Sequence, residues 1–120
     1  MPNTLAKSRY KAYIAQGGQC YYCSLSMWLY VPQELTEPFG LSEREAMPLQ
    51  CTAEHLIPQC EGGRDTRENI VAACARCNHT RHKRAKPPTP VVHRERVRRQ
   101  VALGKWHPNG LARRLLHPGP

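Results

Sequence analysis

Residues 52–83, TAEHLIPQCEGGRDTRENIVAACARCNHTRHK, lay out a strand, a loop, a second strand and a helix in that order. Gln50 to Ile57 is a run of β-compatible residues that closes at Pro58, a residue that cannot extend a ladder. Gly62, Gly63 and Asp65 mark a turn, and Asn69 to Ala73 (NIVAA) returns as an antiparallel partner across a long connecting loop. A helix from Ala75 to about Arg84 follows, with Pro87 and Pro88 expected to end it. This ββα order predicts a small α+β fold.

The same stretch concentrates groups suited to phosphodiester hydrolysis, which needs a base to activate water and a cation to take up charge on the phosphate and the leaving oxygen. His55 is the candidate base, because imidazole can take a proton near neutral pH. Glu54 offers the hard carboxylate oxygen that a divalent cation such as Mg²⁺ or Mn²⁺ prefers. Asn78 and His82 stand four residues apart, so a helix projects both from one face toward the same ion. Adjacent strand residues point to opposite faces, so Glu54 and His55 can share a site only if a bulge or the strand's end redirects one of them.

Two C-x-x-C pairs flank this segment or lie within it. Cys20/Cys23 and Cys74/Cys77 each have the spacing in which two thiolates of one knuckle take two corners of a tetrahedron, so together they predict a closed structural Zn²⁺ site. No thioredoxin-like βαβ pattern surrounds either pair, which argues against a redox motif. Cys51 and Cys60 sit outside the pairs and read as small buried hydrophobes or plain thiols.

His55, Asn69 and Asn78 fall fourteen and nine residues apart. With Glu54, His82 and the cysteine pairs, this pattern resembles the HNH endonucleases, a metal-dependent nuclease family with a ββα-metal core, in the form braced by zinc knuckles. The resemblance covers residues 20 to about 84. It implies His55 as general base and Asn69 as the middle Asn whose amide bonds across the loop to fix the backbone carrying His55. It also implies Glu54, Asn78 and His82 around one catalytic divalent ion, hydrolysis of DNA, and 5′-phosphate and 3′-hydroxyl products. Glu54 departs from the Asp more common at its position, which bears on metal preference. The alternatives are a zinc-knuckle nucleic-acid-binding module without turnover, and a zinc-stapled adaptor that uses a basic tail for protein contacts.

Outward from this core, residues 1–86 read as the nuclease domain and residues 87–120 as a basic C-terminal extension packed on it or flanking it. Residues 5–17 predict a short helix stopped by Gly17 and Gly18. Residues 24–50 read as an irregular insert, broken by Pro32, Pro38 and Pro48 and carrying Glu34, Glu37, Glu43 and Glu45. VVHRERVRRQVAL, residues 91–103, predicts a basic helix, and a short apolar-basic helix and a loose tip follow Trp106, which is available to stack on a base or to pack.

Among 120 residues, 18 Lys and Arg oppose 9 Asp and Glu, a formal charge of +9 that favours an acidic polymer as partner. From Arg81 onward there are eleven Lys or Arg and one acid, Glu95. Arg81, Lys83 and Arg84 on the helix, with Arg98 and Arg99 in the tail, are the candidate phosphate contacts, a salt-sensitive mode that carries little sequence information. No apolar run is long enough to span a membrane, and the N-terminus lacks a secretory core, so a cytoplasmic location is expected. A monomer and a homodimer are both open.

Overall fold

β1 (Cys51–His55) and β2 (Ile70–Cys74) pair antiparallel, Cys51 opposite Cys74 and His55 opposite Ile70. They belong to a computed structural model that describes residues 3–108 and 110–116. β1 stops two residues earlier than its composition predicts because the carbonyls of His55 and Leu56 accept from the Arg81 guanidinium, at 2.9 and 3.0 Å, instead of extending the ladder. A two-stranded sheet is marginal by itself in water, so other elements must cover it. α1 (Thr4–Ala15) packs against both strands. At the helix end, Gln16 completes the outer edge of β2 with its side-chain amide, donating to Ala72 O at 2.8 Å and accepting from Ala72 N at 2.9 Å. Gly17 and Gly18 both take left-handed φ values, and the Gly18 N–H bonds back to Tyr13 O at 2.9 Å, turning the chain into the first cysteine pair.

Residues 24–50 are not the irregular insert expected. They hold α2 (Gln33–Phe39), α3 (Glu43–Ala46) and a 3-10 turn at Met47–Leu49, and they supply Leu25, Met27, Trp28, Leu29, Leu35, Leu41, Ala46 and Leu49 to the core. These helices are too short to show a periodic stripe, and local hydrogen bonds set them instead. The Glu34 carboxylate accepts from the backbone N–H groups of Leu29, Tyr30 and Val31. Burial raises its pKa, but those three bonds outweigh burial and hold it below the usual carboxylate range. Ser42 and Glu45 form a reciprocal capping box on α3.

β2 runs directly into α4 (Ala75–Arg81), so the ββα order is present. α4 ends three residues before the expected Arg84, with His82 as its C-cap, because Arg81 Nε reaches Pro88 O at 2.9 Å and ties the following chain back. α5 (Pro90–Ala102) and α6 (Leu111–Leu116) follow. Val97, Leu111 and Leu115 join the same buried cluster as the four paired cysteines, so the tail shares the core of the preceding residues. Arg114 fastens α6 to the segment 40–45 through Glu45 at 2.7 Å and Gly40 O at 3.0 Å. Residues 117–120, where the loose tip was expected, lie outside the described residues. Among the described residues no helix is long and apolar enough to cross a membrane.

Candidate active site and metal centre

Cys20, Cys23, Cys74 and Cys77 are buried, and their sulfurs all lie within 4.8 Å of one another. A tetrahedron with Zn–S bonds of about 2.3 Å has edges of about 3.8 Å, and Cys23 Sγ and Cys74 Sγ stand 4.0 Å apart. Hydrogen bonding to Cys20 and Cys23 pushes the Cys74 and Cys77 thiols up. Burial raises Cys20, yet hydrogen bonds from the other three hold it down. A cation that displaces the thiol protons would relieve the conflict, so the cluster is positioned for zinc. Three backbone N–H groups and one indole point at the sulfurs: Tyr22 N and Cys74 N at Cys20, Cys77 N at Cys74, and Trp106 Nε1 at Cys77, 3.3 Å away. Trp106 therefore packs over the cluster, with the Arg76 guanidinium 4.9 Å from its ring centre.

Cys51 and Cys60 lie apart from this cluster. Cys51, the first residue of β1, is buried, and burial pushes its thiol up to about 12. Cys60 is exposed in the loop after β1.

The Glu54 carboxylate is fully buried, and both of its oxygens are engaged. Oε2 accepts from the Tyr22 hydroxyl at 2.8 Å and from Arg81 Nη1 at 3.1 Å; Oε1 lies 2.8 Å from His82 Nε2. Burial and the adjacent carboxylate push the Tyr22 phenol up, so it stays protonated and donates. Tyr22 lies inside the first C-x-x-C knuckle, so this bond joins the cysteine cluster to Glu54. Asn78, which lines the same cleft, donates its amide nitrogen to Thr52 Oγ1 at 3.0 Å and to Ala53 O at 3.3 Å, so its Oδ1 is not needed for those bonds. Adjacent ligands of an octahedral cation with bonds of about 2.1 Å lie about 3.0 Å apart. Glu54 Oε1 and His82 Nε2, at 2.8 Å, fit that edge, and a carboxylate, an amide oxygen and an imidazole are a suitable donor set.

Glu54, His55, Asn78 and His82 border one open cleft of about 300 Å³, completed by Pro58, Gln59 and Cys60. Neighbouring strand residues meet there because β1 ends at His55 with its register intact. His55 Nε2 lies 2.7 Å from Asp65 Oδ1. Asn69 is outside the cleft. Its amide bonds across the loop, accepting from Ile57 N at 2.8 Å and donating to the carbonyls of Ile57 and Arg64, each at 3.0 Å. Gly63 fits inside this clasp only because it lacks a side chain: a Cβ there would lie 1.7 Å from Ile57 O and 2.9 Å from Asn69 Nδ2. Gly63→Ala is expected to prise the clasp open and cost about 2–3 kcal/mol in urea unfolding; unchanged stability would show that the loop has slack.

The basic residues divide sharply. Arg81 cannot be the phosphate contact expected from the sequence. It is 2% exposed, and its donors go to Glu54 and to the carbonyls of His55, Leu56 and Pro88, because a buried carboxylate needs a buried cation. Arg98 is drawn to the knuckle, with Nε on Tyr22 O at 3.1 Å and Nη2 on Ser24 Oγ at 2.7 Å, so it braces the fold from an exposed position. Lys83, Arg84 and Arg99 are exposed. Lys83 and Arg84 line a cleft of about 320 Å³ between α4 and α5 with Arg96, Thr80 and Trp106.

Sequence reasoning missed Tyr22, Asp65 and the inward role of Arg81. Asp65, an acid ten residues after His55, marks a turn in the sequence and nothing in its spacing ties it to the imidazole. Nothing in the spacing linked Tyr22 to Glu54, thirty-two residues away. Residues 39–84 match the profile of the family described as HNH endonuclease, a stretch from the end of α2 through both strands and α4 to Arg84. No curated protein and no solved structure gives a match to the chain.

Proposed function

With residues 39–84 as an HNH endonuclease segment, we propose that the protein hydrolyses DNA phosphodiester bonds, with His55 as the general base. The observation that carries this reading is the meeting of Glu54, His55, Asn78 and His82 at one open cleft. Glu54, Asn78 and His82 would hold a divalent cation, Mg²⁺ or Mn²⁺. When bound, that cation supplies positive charge for the phosphoryl and leaving oxygens. His55 takes a proton from the attacking water, and Asn69 holds the loop backbone against which His55 stands. Tyr22 and Arg81 keep the Glu54 side chain in one orientation. The four-cysteine site takes Zn²⁺ in a structural role, suited to a reducing, cytoplasmic setting. Lys83, Arg84 and Arg99 contact backbone phosphates, so binding weakens with salt.

Supercoiled plasmid incubated with zinc-loaded protein tests this directly. Added Mg²⁺ or Mn²⁺ should produce nicks, chelation of that ion should stop them, and His55→Ala, folded by circular dichroism, should be slower by about 10²–10⁴-fold. DNA binding without cleavage in either metal would leave a zinc-knuckle binding module instead.

A further inference from the structure

We propose that Asp65 is a positioning residue that fixes the tautomer and orientation of His55, so that Nδ1 is the nitrogen that receives the proton from water. The proposal rests on the nuclease reading above and adds a group to it.

The argument begins with hydrogen-bond valence. An ionised carboxylate only accepts, so the 2.7 Å contact between His55 Nε2 and Asp65 Oδ1 requires the proton on Nε2. In the neutral ring the lone pair then lies on Nδ1. His55 lines the cleft while its Nε2 is taken up by Asp65 of the loop, so Nδ1 is the ring nitrogen free of that bond.

Gln59 Nε2 reaches the same Asp65 Oδ1 at 3.4 Å, and the backbone that carries Asp65 is held on both sides. Asn69 Nδ2 grips Arg64 O, one residue before Asp65, and Ser8 Oγ of α1 lies 3.4 Å from Asp65 O. Asn69 thus acts on His55 by two routes, through the backbone at Ile57 and through the residue beside Asp65. Asp65 is 41% exposed and the His55 side chain 14%, so an ion pair between them contributes little to stability. What a short bond at a half-open position supplies is direction.

The test combines a ring-tautomer measurement with kinetics. Histidine ¹⁵N–¹H correlation spectra at about pH 9, where an ordinary imidazole is neutral, should show His55 of the unaltered protein protonated on Nε2. In Asp65→Ala that signal should become a tautomer mixture, and kcat should fall about 10–100-fold with KM and Mn²⁺ affinity unchanged. Asp65→Glu should restore part of both. An Nδ1-protonated His55 in the unaltered protein, or a tautomer and kcat indifferent to Asp65→Ala, would overturn the proposal. Absence of cleavage by the unaltered protein would strike at the nuclease reading alone, since the spectra still report whether Asp65 sets the tautomer.

Discussion

Cys74→Ser is expected to abolish the cooperative unfolding transition and leave the chain largely unfolded at 25 °C. Cys74 is wholly buried at the junction of β2 and α4, where its sulfur also accepts from Cys77 N and caps the helix. Its backbone N–H meets Cys20 Sγ at 3.3 Å. A structural zinc contributes about 10–16 kcal/mol of apparent binding energy in small domains, which matches or exceeds the whole stability of a typical domain, about 5–15 kcal/mol. The sheet has only two strands among the described residues and is marginal by itself, so the fold leans on what packs around it. Zinc content by plasma mass spectrometry and thermal circular dichroism would measure the effect. Cys60→Ser, at an exposed position, should leave both unchanged. A Cys74→Ser protein with an intact transition would mean that the cysteines do not staple the fold.

Glu54→Gln should lower stability and abolish cleavage together. The carboxylate and the Arg81 guanidinium are almost completely buried, at 1% and 2% exposure, so a neutral amide leaves a buried cation without its partner. Breaking a buried pair in this way costs about 3–5 kcal/mol, or about 12–20 °C in Tm for a chain of this size. On the proposed reading the same change removes a metal-binding oxygen. Asn78→Ala separates the two effects. Asn78 is only half-buried, and its lost hydrogen bonds should cost about 1 kcal/mol, yet cleavage should fall as far as in Glu54→Gln. Wild-type cleavage by a folded Glu54→Gln protein would remove Glu54 from the metal site.

The ββα order was legible in residues 52–83 because β-compatible runs, glycines and prolines act locally on the backbone. The cysteine pairs were legible because C-x-x-C spacing already brings two sulfurs together within one knuckle. Residues 24–50 were misread because the bonds that build their helices, such as those from Glu34 and Ser42, lie within one or two turns and leave no periodic stripe. Arg81 shows the sharper limit. In RHKR it is indistinguishable from Lys83 and Arg84, and only the position of Glu54, twenty-seven residues earlier, turns it inward.

From sequence alone came the ββα order of residues 52–83, the two sulfur pairs and the segment that borders the cleft, because each depends on contacts between near neighbours along the chain. Tertiary structure decided which charges are buried and which face solvent. It set Tyr22 and Arg81 on Glu54, Trp106 on Cys77 and Asp65 on His55. Those contacts depend on how separate segments pack in space, and side-chain desolvation and hydrogen-bond direction are settled only there.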